Sequence, residues 1–154
     1  MSNLGQLLGP HSIRLLDDMS KENALIDLSK ALGEDTEVEA DRLQEAVLER
    51  EKLLSTDVGL GLAMPHVRLP EADQFAMAIG VSRQGIKYGA MDEKPVHIIV
   101  MVVGPAESHT EYMQFMASIT TLMGDDETRR RILEAEDPDA IREVVENESQ
   151  NQQV

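Results

Sequence analysis

The sequence predicts one α/β (α+β) domain, a single mixed β-sheet flanked by helices, and three features carry that prediction. Segments with apolar side chains at three- and four-residue spacing occupy both ends of the chain, as helices with one buried face require. Between them the run Val96-His97-Ile98-Ile99-Val100-Met101-Val102-Val103 is apolar almost throughout, the pattern of a strand covered on both faces. Helices, then strands, then helices leave a layered solution in which helices cover the sheet.

At 154 residues the chain suits one domain that buries a core without metals or disulfides. It has no cysteine, which excludes thiol catalysis, a disulfide scaffold and Cys-ligated zinc. The formal net charge of −15, from 29 acidic and 14 basic side chains, disfavours nucleic-acid backbones and anionic membranes. Basic protein partners, solubility and a salty cytoplasm are all compatible with that excess. No apolar run reaches transmembrane length, and Met1-Ser2-Asn3-Leu4-Gly5-Gln6 lacks a basic stretch followed by an apolar one. The expectation is a soluble, cytoplasmic protein with no membrane insertion. Nine methionines and no tryptophan point to an aliphatic, thioether-rich core.

In chain order, residues 1–11 read as a loose lead-in, residues 12–146 as the domain and 147–154 as a disordered tail of Asn, Gln, Glu and Ser. Ile13-Arg14-Leu15-Leu16 is a short first strand. Ser20 caps a helix carrying Leu25, Leu28, Ala31 and Leu32, with Gly33 as its stop. Thr36-Glu37-Val38-Glu39 is a capping box that opens a second helix with an apolar stripe of Leu43, Val47 and Leu54. Arg50 falls on that stripe. A guanidinium facing inward needs a partner or a purpose, so Arg50 either snorkels and pairs with Glu49 or Glu51, or holds an anion.

The block Gly59-Leu60-Gly61-Leu62-Ala63-Met64-Pro65-His66 alternates like a strand with Leu60, Leu62 and Met64 on its core face. Pro65 lacks an N–H and holds Met64 extended, so the strand is expected to stop there and His66 to stand just beyond the sheet edge. His66 is then either a hydrogen-bonded loop histidine or, with Arg68 two residues on, a group placed for chemistry on an anion. A polar loop follows, then an interior strand Ala76–Val81, an extended piece Gly85–Gly89, a turn over Met91–Pro95 and the long apolar strand, with His97 as a structural histidine. Ser108-His109-Thr110-Glu111 is a second capping box, which puts His109 at a helix N-terminus, a place for an anion or for an ordinary exposed polar side chain. Two further helices start near Asp126 and at Pro138, and Arg129-Arg130-Arg131 is a solvated face. Phosphate-binding glycine loops, HExxH and GxSxG are absent.

Glu49-Arg50-Glu51-Lys52-Leu53, Ser55-Thr56, Gly59 through Pro65-His66, and Asp92-Glu93-Lys94-Pro95-Val96 with its apolar strand together resemble the enzyme IIA domain of the bacterial phosphotransferase system, fructose/mannitol type. The nitrogen-regulatory branch is nearest in layout, and the similarity spans residues 12–146. The resemblance implies the enzyme IIA fold and a phosphotransferase-type phosphohistidine carrier without cofactor, nucleotide or metal. His66 would accept a phosphoryl group from HPr or its nitrogen-branch counterpart, and Arg50 would hold the phosphate oxygens. The phosphoryl group would pass to an enzyme IIB, or its presence would control binding to regulated target proteins. The family's second histidine falls on Tyr112 in an ungapped match through Ala117, Leu122, Asp125 and Ile132, with His109 three residues earlier as the other candidate. That substitution is the one feature favouring a third possibility, an interaction domain that is never phosphorylated.

Overall fold

Strand β6, Val96–Pro105, is the axis around which the other elements assemble. The computed structural model describes residues 4–89 and 94–151. A short 3-10 helix (Leu4–Leu7) leads into β1 (Leu8–Leu15), followed by α1 (Lys21–Asp35) and α2 (Ala40–Leu53). Then come β2 (Asp57–Gly59), β3 (Leu62–Ala63), β4 (His66–Leu69), β5 (Ala76–Ile86) and β6. Helices α3 (His109–Gly124), α4 (Asp126–Glu134) and α5 (Pro138–Asn151) complete the described chain.

The sheet is mixed, ordered β1-β5-β6-β3-β2, with β4 also paired to β6. β1 runs parallel to β5, β5 antiparallel to β6, and both β3 and β4 parallel to β6. Alternation along β6 sends Ile98, Val100 and Val102 to one face, where they meet Ile119, Leu122, Ile132, Ile141 and Val145 of α3 to α5. Ile99, Met101 and Val103 go to the other face, against Leu25, Leu28, Leu32, Leu43 and Val47 of α1 and α2. Two cores therefore sit on one sheet, which is the predicted α/β arrangement.

Several local expectations are corrected. Residues 1–11 are not a loose lead-in over their described part. Leu4 and Leu7 are buried, the Leu4 N–H donates to Ser149 Oγ at 3.0 Å, and β1 starts at Leu8. The disordered tail expected from residue 147 is instead the last turn of α5, held by buried Ser149 as far as Asn151. Thr36 does not cap α2. Its hydroxyl donates back to the Leu32 carbonyl at 2.7 Å and accepts from the Val38 N–H at 3.2 Å, closing α1 beyond Gly33, and α2 starts after Glu39 with no side-chain cap. Ser108 likewise makes no side-chain cap to α3. Leu60 is not on a core face, because Gly59, Leu60 and Gly61 all have positive φ and turn the chain between β2 and β3, leaving Leu60 61% exposed. Leu54 lies beyond the end of α2 and is also exposed. Most of the turn expected at Met91–Pro95 lies outside the described residues.

Pro65 does not end the strand. β3 and β4 occupy the same edge of β6 in the same register, Ala63 opposite Ile99 and His66 opposite Val102. The proline removes one donor, but its own carbonyl accepts the Val102 N–H at 3.0 Å, so pairing resumes at once. His66 is consequently the first residue of a strand.

Candidate functional site

Among the described residues β4 pairs with β6 alone and leaves its other edge open. At that edge one side of α2 and the start of α3 converge on a cleft of about 490 Å³ lined by Arg42, Ala46, Arg50, His66, Val67, Arg68, Leu69 and Tyr112. Arg42, Ala46 and Arg50 stand four residues apart and so share one stripe of α2. That stripe differs from the Leu43 and Val47 stripe, which is buried in the core. The i, i+4, i+8 spacing was available in the sequence as a signal for the cleft-facing side, and Arg42, Ala46, Val67 and Leu69 are the lining residues that motif reasoning missed.

Nδ1 of His66 lies 2.7 Å from the Met64 carbonyl oxygen. A carbonyl only accepts, so Nδ1 carries a proton, and whenever the ring is neutral the lone pair is on Nε2. Among the described residues Nε2 has no hydrogen-bond partner. The half-buried ring lies 6.0 Å, centroid to centroid, from that of Tyr112, tilted by 50°.

Arg50 pairs with neither neighbouring acid. Glu49 pairs with Lys52, while Glu51 pairs with Lys21 at 3.0 Å. Arg50 instead donates to the Leu54 carbonyl at 2.8 Å, a hold on its stem that leaves its charge uncompensated by a carboxylate among the described residues. Glu51 fixes the same segment from below: its carboxylate accepts the Thr56 N–H at 2.9 Å and the Thr56 hydroxyl at 2.7 Å. Burial opposes the charge on Glu51, yet those bonds and Lys21 outweigh it and hold its pKa below the ordinary carboxylate value. The Thr56 hydroxyl lies 3.0 Å from Tyr88 Oη, and the ammonium of Lys21 sits over the Tyr88 ring.

Tyr112 of α3 is buried, and Arg68 lies with Cζ 5.2 Å from its ring centroid. Burial pushes the phenol up to about 12, against the pull of Arg68 and Arg50, so at neutral pH Tyr112 remains a hydrogen-bond donor. His109 opens α3 as expected and is exposed at the rim, its Nδ1 accepting from Arg68 Nη1 at 3.1 Å. The structure therefore gathers His66, Arg50 and Tyr112 around one cleft and joins His109 to them through Arg68. His97 is separate, bonded through Nδ1 to the Ser82 carbonyl at 2.9 Å as a structural histidine would be. Among the described residues no group of three or more metal-ligating side chains converges, and no helix is long and apolar enough to cross a membrane.

An imidazole with its Nδ1 on a carbonyl and no partner for Nε2 among the described residues, beside two guanidiniums without carboxylates, is an arrangement for holding an anion against a nucleophile. The chain belongs to the family described as phosphoenolpyruvate-dependent sugar phosphotransferase system, EIIA 2, whose model matches residues 6–148. Members of this family are phosphotransferase components. The chain is 30% identical over 142 residues to the fructose-specific EIIABC component of Bacillus subtilis, covering 91% of this chain and 22% of that protein, so it spans about a fifth of that relative. It is 30% identical over 105 residues to the fructose-specific EIIA component of Haloferax volcanii, covering 68% of each. It is 29% identical over 126 residues to the nitrogen regulatory protein of Bradyrhizobium diazoefficiens, covering 82% of each. Among solved structures, nitrogen regulatory protein IIA-Ntr of Neisseria meningitidis superposes with a TM-score of 0.83 at 25% identity, covering 94% of this chain and 99% of that one.

Proposed function

We propose that this chain is a histidine phosphocarrier in which Nε2 of His66 accepts a phosphoryl group from an HPr-like protein. The observation that carries the proposal is the Met64 carbonyl holding the proton on Nδ1 of His66, beside Arg50 in the same cleft. In the transfer, the Nε2 lone pair forms the new N–P bond as the donor's N–P bond breaks, and the donor imidazole keeps the electron pair. No proton need move, because His66 retains its Nδ1–H and the Met64 carbonyl faces the positive charge that develops on the ring. Arg50 donates to phosphate oxygens and Tyr112 offers its hydroxyl, the function the resemblance gives to a second histidine. His109 acts at the rim.

Use in a regulatory relay of the nitrogen type is the first choice, supported by the likeness to IIA-Ntr. Adding about 1.5 to 2 negative charges at a surface cleft is sufficient to switch a protein interface. The 30% identity to fructose-specific EIIA proteins supports a second reading, delivery of the phosphoryl group to a separate enzyme IIB. The test is a chase. The chain is charged with phosphoenolpyruvate, enzyme I and an HPr-like carrier, then mixed with enzyme IIB candidates encoded beside it. Charging that depends on His66 supports the carrier, and rapid discharge onto an enzyme IIB selects the sugar reading. No charging from a donor that labels a control enzyme IIA refutes both.

A further inference from the structure

The cleft holds a second guanidinium, Arg68, to which the family resemblance assigns no task. It has no ion-pair partner among the described residues, although 29 acidic side chains are available in the chain. Two contacts seat it: Cζ over the Tyr112 ring, and Nη1 on Nδ1 of His109. The second contact requires a lone pair on Nδ1, so His109 is neutral there, with its proton on Nε2. Arg68 and His66 are two residues apart in β4 and therefore project from the same side of the strand. One N–H spent on His109 leaves the rest of a five-donor fork.

We propose that Arg68 is the second phosphoryl-binding guanidinium of this site and that His109 is its positioning residue. This rests on the phosphocarrier assignment above. Arg68 forms and breaks no covalent bond. It donates to the oxygens of the phosphoryl group while the donor's N–P bond breaks and the Nε2–P bond forms, and its place over the Tyr112 ring fixes it before the donor arrives.

Two measurements test the assignment. The first is the rate of transfer from phosphorylated carrier to His66 in wild type, Arg68→Gln, Arg68→Lys, His109→Ala and the Arg68→Gln/His109→Ala double variant. The second needs no donor: the Kd of inorganic phosphate, read from NMR shifts of the His66 ring. Arg68→Gln should slow transfer about 100-fold and raise the phosphate Kd about tenfold or more, with Arg68→Lys recovering part of both. His109→Ala should slow transfer about three- to tenfold, with no further loss in the double variant, because His109 acts only through Arg68. Rates and Kd within about twofold of wild type in Arg68→Gln, or fully multiplicative losses in the double variant, would overturn the roles given to Arg68 and His109. A wild type that accepts no phosphate from carrier refutes the assignment beneath, and the phosphate Kd still decides whether Arg68 binds the anion.

Discussion

Nδ1 of His66 and the carbonyl oxygen of Met64, two residues earlier, are 2.7 Å apart across the proline that separates β3 from β4. The geometry predicts that the unphosphorylated ring is the Nδ1–H tautomer and that phosphate is carried on Nε2. Long-range proton–nitrogen correlation spectra of the histidine rings read both states. A proton on Nε2 in the free protein, or phosphate on Nδ1, would contradict this account of the nucleophile.

Arg50 should matter for transfer and little for folding. Its one hydrogen bond among the described residues is to the Leu54 carbonyl, an exposed contact worth about 1 kcal/mol or less. Arg50→Gln is expected to slow phosphoryl transfer about 100-fold while moving the unfolding free energy by less than about 1 kcal/mol. Parallel kinetics and urea titrations check the split.

The opposite split is expected at Glu51. It is a buried carboxylate whose partners are Lys21 and Thr56, so Glu51→Gln leaves a partly buried ammonium without its counter-charge and should cost about 2–3 kcal/mol. Because folding lowers its pKa, the stability it contributes is complete above the unfolded value of 4.5 and lost as pH falls through the folded one. The wild-type urea midpoint should therefore drop on acidification more than that of Glu51→Gln. Equal drops would remove Glu51 from the explanation.

The chain has two tyrosines, and burial raises both, Tyr112 to about 12 and Tyr88 further still. In the unfolded chain they ionise near 10, so the folded state binds more protons above that pH and stability falls as pH rises. The absorbance of tyrosinate should stay flat through the ordinary range and appear together with loss of helical circular dichroism. Tyr112→Phe should keep the fold and slow phosphoryl transfer, since it deletes only the hydroxyl. A normal titration of either ring in folded protein would contradict the burial described.

The sequence carried the layered architecture because β6 is apolar on both faces and the helices keep their periodicity. Ser20 makes the expected cap, its hydroxyl accepting the Asn23 N–H at 3.1 Å. Pro65 misleads, because it lacks a donor yet keeps an acceptor, which the Val102 N–H uses. Thr36 misled in a related way, since one hydroxyl fits the end of one helix as well as the start of the next. Around the cleft, His66, Arg50, Tyr112 and His109 were legible one at a time through the resemblance. Their convergence was not, for it depends on the pairing of His66 with Val102, which brings the start of α3 beside β4. The Arg68–His109 bond spans 41 positions, and no local pattern encodes it.

The most direct measurement is intact mass after incubation with phosphoenolpyruvate, enzyme I and an HPr-like carrier, for wild type and His66→Ala. A phosphocarrier acting through His66 predicts one added phosphate on wild type, lost on mild acid treatment, and none on His66→Ala. An unmodified wild type beside a control enzyme IIA that labels, or equal labelling of His66→Ala, would contradict it.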